Sequence, residues 1–255
     1  MTIETATDNK ASNLWGLANP TRFMRFADSV IPFCFIATVL LFAIGLYMSL
    51  NAPEDYQQGA TVLIMFIHVP AAWLAMMTYS VMSVSALGTI VWRHPLADVS
   101  LRAAAPLGAV FTFLALATGS LWGKPMWGTW WEWDARMTSV LILFIIYLGL
   151  IALSKAFDEP SEAAQPVAVM TLTGFVIIPI IKFSVDWWNT LHQPASVSRF
   201  DRPAMAPEFL YPLLVMALAY IALFFTLHLM SMRNEVLSRR IRSLKMKTAR
   251  SKGIS

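Results

Sequence analysis

Val30–Leu50 reads VIPFCFIATVLLFAIGLYMSL, an unbroken apolar run without a single charge. A helix needs about 20 such residues to cross roughly 30 Å of hydrocarbon. Five further runs of this kind follow, near 61–91, 103–121, 137–153, 167–183 and 209–230. Only helices and closed barrels satisfy their own backbone hydrogen bonds in lipid, and none of the runs alternates as a barrel strand would. The chain is therefore expected to be an all-α, polytopic membrane bundle of about six helices. It forms a single integral membrane domain over 1–255. The composition agrees: 57% of residues are hydrophobic and 13% are charged, about half the charge of a soluble domain. Residues 1–28 hold no sustained apolar core and are not expected to act as a cleaved signal.

Fourteen of the nineteen basic residues gather on one side of this bundle. They are Lys10, Arg22 and Arg25 before the first run, Arg93, Arg102 and Lys155 at two connections, and eight residues in the tail 231–255. Basic residues mark the cytoplasmic side, so both termini are expected there. The tail serves first as a topology determinant beside anionic lipid. Leu237, Ile241 and Leu244 also share one face, as a surface helix would require. The net charge of +4 sits mostly in this tail and does not indicate a nucleic-acid partner. Cys34, the sole cysteine, excludes an internal disulfide, a Cys-x-x-Cys-His haem attachment and a four-cysteine metal site. It reads as a small apolar residue.

The opposite side carries connections near 51–60, 122–136 and 184–208. The second begins Trp122-Gly-Lys-Pro-Met-Trp127-Gly-Thr-Trp130-Trp131-Glu-Trp133-Asp134-Ala-Arg136 and holds five of the ten tryptophans. Trp187 and Trp188 add two more in the third. An interfacial aromatic belt would decorate both sides. Indoles offer flat, rigid apolar area with an N–H at the edge, which suits a planar macrocycle. If helical, Trp127, Trp130, Trp131 and Asp134 form one face, a shelf along the membrane surface. Asp134 and Arg136 are candidate anchors of that shelf, or Arg136 meets an anionic group of a ligand. The alternative is a heavy interfacial anchor with no ligand.

Topology divides the four histidines two and two. His94 and His228 fall at the inner ends of their runs and read as interfacial residues. His68 and His192 fall on the outer side, from different elements. Pro70 removes a backbone donor just past His68 and is expected to kink that helix. The pair flanks the tryptophan segment and offers two axial nitrogens to a haem iron, or else two ordinary polar side chains. Lys124, Arg136, Lys182, Arg199 and Arg202 are the cations on this side, suited to carboxylates such as haem propionates. There is no phosphate-binding loop, no H-E-x-x-H and no G-x-S-x-G. The run centres hold no acids, which argues against a proton relay.

The segment Trp127–Thr138 resembles the tryptophan-rich signature of the haem-handling membrane protein superfamily. His68-Val-Pro-Ala before Trp73, and Leu-His192-Gln-Pro, resemble its haem exporter protein C family, over roughly residues 22–232. The resemblance implies a multi-pass protein of the bacterial inner membrane that handles haem on its periplasmic face for cytochrome c biogenesis. It implies haem b, held transiently and without a covalent bond, with His68 and His192 as axial iron ligands. Trp122, Trp127, Trp130, Trp131, Trp133, Asp134 and Arg136 would position it. The implied partners are a periplasmic haem chaperone (cytochrome c maturation protein E), an ATP-binding cassette pair (maturation proteins A and B), a small single-span protein D and membrane lipid. The activity implied is handover rather than turnover. A haem lyase of the same superfamily is a longer chain. The remaining alternatives are a b-type electron-transfer cytochrome and a non-haem scaffold or permease subunit.

Overall fold

The computed structural model describes residues 19–193, 196–197, 202–251 and 253. Lys10, Arg199 and Lys252 lie outside them. Among the described residues seven α-helices follow in order: α1 (Pro20–Leu50), α2 (Met65–Val91), α3 (Pro95–Trp127), α4 (Ala135–Lys155), α5 (Pro160–Gly174), α6 (Ile177–Trp187) and α7 (Pro207–Ser251). A short 3-10 turn, Ala60–Ile64, leads into α2. Joining that turn to α2, and α5 to α6, gives six helical stretches long and apolar enough to cross a membrane. Among the described residues there is no strand beyond an isolated bridge between Asp55 and Gly59. The expected all-α membrane bundle is what the chain forms.

The helix starts are written in the sequence. Proline opens α1, α3, α5 and α7, where its fixed φ fits a helix and its missing N–H is not needed. Asn19 caps α1 by accepting from Thr21 N–H at 2.9 Å, and His94 caps α3 through Leu96 N–H at 3.3 Å. The α2 helix continues through Pro70, which is buried.

The core lies where α2, α3, α4 and α5 meet. Tyr79 and Tyr147 sit edge to face there, 5.4 Å apart, both fully buried. Each hydroxyl donates to a backbone carbonyl of a neighbouring helix, Tyr79 to Thr171 (3.0 Å) and Tyr147 to Ala75 (2.8 Å). A buried phenol left without a partner is costly, so these bonds fix the helices in register. Gly108 makes room for the Tyr147 ring; a Cβ at Gly108 would stand 2.1 Å from it.

At the basic end, Asp98 is buried and held by Arg102 (3.3 Å) and Arg239 (2.5 Å). Arg102 also donates to the Ser154 and Pro160 carbonyls, tying α3 to the α4–α5 connection. Arg242 reaches Glu159 at 3.3 Å. The α7 helix runs unbroken through the basic tail to Ser251 and is clamped by these ion pairs.

The tryptophan segment does not meet the condition set for a helical shelf. The α3 helix extends through Trp127 and stops at Gly128, whose left-handed φ of 77° ends it. Residues 128–134 are not helical, and Asp134 opens the next helix. Trp127, Trp130, Trp131 and Asp134 therefore do not share a helical face. The i, i+3, i+4, i+7 spacing was real, but a glycine stop and an aspartate cap outweigh periodicity.

Candidate functional site

A cavity of about 430 Å³ lies at the end of the bundle opposite the Asp98 cluster. It is walled by α2, α3, α4, α6 and the segment after α6. The walls are mainly apolar, with Trp73, Met76, Leu116 and Val140 among them. Four chargeable side chains join them: His68, Arg136, Lys182 and His192. Mostly apolar walls with a few convergent polar groups are the usual form of a small-molecule site. His68 and His192, separated by 124 positions in the chain, thus meet one space.

The hydrogen bonds of each histidine decide its tautomer. His68 Nδ1 lies 3.0 Å from the Ala115 carbonyl and 3.1 Å from the Thr118 hydroxyl. A carbonyl only accepts, and the Thr118 hydroxyl already donates to the Leu114 carbonyl at 2.6 Å. Nδ1 must then carry the proton, which leaves the Nε2 lone pair unprotonated in the neutral ring. His192 Nδ1 lies 2.7 Å from Asp134 Oδ2, and a carboxylate likewise fixes the proton on Nδ1. Both imidazoles therefore present the same Nε2 lone pair. An Nδ1–H held by a carbonyl or carboxylate is the usual second contact of a metal-bound histidine.

Asp134 serves two elements at once. Its Oδ1 accepts from Met137 N–H at 2.7 Å and caps α4, while Oδ2 takes His192. Burial alone would raise its pKa, but the hydrogen bonds from His192 and from Met137 N–H reverse that. Together they hold the carboxyl below the usual aspartate range. Arg136 braces α6 from α4: Nε donates to Ser184 Oγ at 3.1 Å, and Nη2 reaches the Ile181 and Lys182 carbonyls at 3.4 Å.

The five tryptophans of the 122–133 segment stand around the cavity rather than in its wall. Trp122 meets His68 edge on at 5.7 Å and donates through Nε1 to Gln58 at 3.0 Å. Trp127 meets His192 edge on at 4.9 Å. Each histidine is thus held by one indole. Trp131 packs on Trp133 at 5.4 Å, and its buried Nε1–H has no partner among the described residues. Trp130 and Trp133 are 55% and 73% exposed, and Lys124 lies 5.9 Å above the Trp130 ring. Trp187 and Trp188 are exposed too, with Phe183 stacked on Trp187.

Three wall residues, Gly119, Trp73 and Met76, carry no role that sequence pattern alone would assign. Gly119 lets α3 approach His68, for a Cβ there would sit 2.9 Å from His68 Cε1. Among the described residues, His94 and His228, at the basic end, do not meet in a second site. His94 caps α3, and His228 Nε2 pairs with Ser100 Oγ at 3.1 Å while its ring stacks on Phe224. This arrangement gives no support to a cytochrome with two haems across the bilayer.

Fold and site together define a multi-pass membrane protein with a paired-histidine cavity beneath a tryptophan-rich surface. Residues 13–247 match the sequence family described as Heme exporter protein C, and the chain belongs to that family. Relatives described as Heme exporter protein C include one from Bradyrhizobium diazoefficiens, 66% identical over 91% of this chain and 89% of its own. Another, from Escherichia coli strain K12, is 45% identical over 87% of this chain and 89% of its own. A Marchantia polymorpha protein described as a putative cytochrome c biosynthesis ccmC-like mitochondrial protein is 47% identical over 72% of this chain and 78% of its own.

Proposed function

We propose that this chain handles haem in cytochrome c biogenesis by holding it between His68 and His192, which act as axial iron ligands. The observation that carries this reading is the shared state of the two rings. Both line one cavity, and both have Nδ1–H engaged so that Nε2 is left to a metal. Haem b, bound without a covalent link, is the cargo. Apolar walls suit its macrocycle, and Arg136 and Lys182 at the cavity suit its two propionates.

Trp122 and Trp127 act as braces for the two ligands, and Asp134 orients His192. Trp130, Trp131 and Trp133 cover the outer side, where Trp130 and Trp133 offer exposed apolar area to the macrocycle edge or to a partner. That partner is the periplasmic haem chaperone, cytochrome c maturation protein E, which receives the haem covalently. The ATP-binding cassette pair, maturation proteins A and B, and the small protein D complete the assembly. The basic residues clustered around Asp98 and along α7 support a cytoplasmic orientation for that end. The cavity then faces the periplasm of the bacterial inner membrane.

The visible absorption spectrum of the full chain, purified in detergent from haem-replete cells with the chaperone co-expressed, tests the reading. A Soret band that co-migrates with the protein is expected. Its absence would leave a membrane scaffold with a heavy aromatic anchor.

A further inference from the structure

A second cavity, of about 470 Å³, lies at the basic end of the bundle, away from both histidines. Its walls come from the first turns of α1 and α3 and from α7 beyond the apolar run. Pro20, Pro95, Leu96, Val99 and Val236 make an apolar floor, and Arg239 and Arg240 stand on its rim.

The charges around this groove do not balance. Arg239 is spent on Asp98 and Glu235, at 2.5 and 2.7 Å. Arg102 shares Asp98, Arg233 pairs with Asp28 at 3.2 Å, and Arg242 pairs with Glu159. Arg240 differs from all of these. Its Nη2 donates only to the neutral Thr21 hydroxyl, at 2.9 Å, and no acid among the described residues meets it. Arg22 and Arg25 are exposed on the adjoining turns of α1 and add to the positive potential. The groove thus joins an apolar floor to a guanidinium that meets no acid among the described residues, with Val236 six and Arg240 ten positions beyond Met230, the end of the apolar run of α7.

We propose that this groove binds an anionic glycerophospholipid of the leaflet it adjoins, with an acyl chain along Val99 and Val236 and the phosphate on Arg240. A guanidinium matches phosphate oxygens in a bidentate fork, and basic pockets between membrane helices recognise anionic head groups. The lipid links α1, α3 and α7 at the end where these helices leave the membrane. It acts as a structural ligand separate from the haem site.

The test is thermal unfolding and native mass spectrometry of the full chain in a neutral detergent, titrated with phosphatidylglycerol or with phosphatidylcholine of the same chains. Phosphatidylglycerol is expected to raise the Tm and to bind about fivefold more tightly than phosphatidylcholine, the effect of one basic residue near the surface. Arg240→Gln should abolish that preference, while Lys247→Gln, farther along the exposed part of α7, should keep it. A bulky residue in the floor, Val236→Trp, should weaken both lipids. Should that variant fail to fold, Arg240→Gln alone decides. Equal response to the two lipids, an equal response to inorganic phosphate, or a preference that survives Arg240→Gln would overturn the proposal. So would phosphatidylglycerol binding that appears only after residues 1–18 are removed, for the groove would then belong to the chain's own N-terminal segment.

Discussion

Asp134 joins His192 to the start of α4: one carboxylate oxygen takes His192 Nδ1 at 2.7 Å and the other takes Met137 N–H at 2.7 Å. The segment after α6 is thereby tied to α4 through a single side chain. The position of the second histidine and the helix start cannot vary independently.

Replacing Asp134 separates the two tasks. Asn has one acceptor oxygen and cannot serve both donors, whereas Ala serves neither. Asp134→Asn should keep most of the cap and lower haem retention by about 10- to 100-fold, the usual cost of losing an orienting partner. Asp134→Ala should add a loss of about 1 kcal/mol from the missing cap. Haem titration of the Soret band, set beside thermal unfolding in detergent, distinguishes the two. Equal haem retention in Asp134→Asn and the parent chain would refute the orienting role.

Gly119→Ala should displace the His68 ring, because the new Cβ would lie 2.9 Å from Cε1. Haem absorption should fall or shift while the protein level holds. At Gly149 the nearest atom to an added Cβ is Met170 Cε at 3.4 Å, an ordinary contact, so Gly149→Ala should leave the spectrum unchanged. Matching spectra for the two variants would remove Gly119 from the site.

The core makes a prediction about stability alone. Gly108→Ala would drive a Cβ to 2.1 Å from the buried Tyr147 ring, which cannot yield without disturbing Tyr79. The cost should be at least the roughly 1–3 kcal/mol of overpacking. Tyr147→Phe removes the hydroxyl that donates to the Ala75 carbonyl, which keeps its helical N–H partner, and should cost about 0.5–1.5 kcal/mol. Chemical unfolding in a mild detergent would measure both, and an unchanged midpoint for Gly108→Ala would contradict the packing described.

Acid should weaken the paired-histidine site through Asp134. Its pKa is lowered in the folded protein, so the stabilisation it contributes is present above the unfolded aspartate value, about 4, and is lost as pH falls through the folded value. Unfolding curves between neutral pH and pH 3 should show the parent chain losing stability that Asp134→Asn never had. Parallel curves for the two would rule out this carboxylate as the source.

Much of this was legible in the sequence. Six apolar runs, only one of which carries a charge (Lys182), pointed to the bundle, because lipid leaves the backbone so few choices. His68, His192 and Arg136 reach the same cavity wall, and residue type with sidedness was enough to suggest it. The condition on which the tryptophan shelf depended, a helix through 127–134, is not met, because periodicity carries no information about where a helix stops. Gly128 and Asp134 did carry it, as a left-handed stop followed by an N-cap. The pairing of Asp134 with His192 spans 58 residues and rests on tertiary packing, so local pattern could not reveal it. Gly119 had no signal either, since its importance lies in the ring of His68 on another helix. In the tail, whose helical face the sequence already offered, the Asp98 to Arg239 ion pair crosses 141 residues and so could not be read from local pattern.

The most direct test of the central claim is the Soret spectrum of His68→Ala and His192→Ala, each purified with and without added imidazole. If both rings are iron ligands, each variant loses or shifts the band at unchanged protein level, and imidazole restores it by filling the vacated ligand position. If either variant keeps the parent spectrum, or if imidazole restores neither, holding haem between His68 and His192 is contradicted.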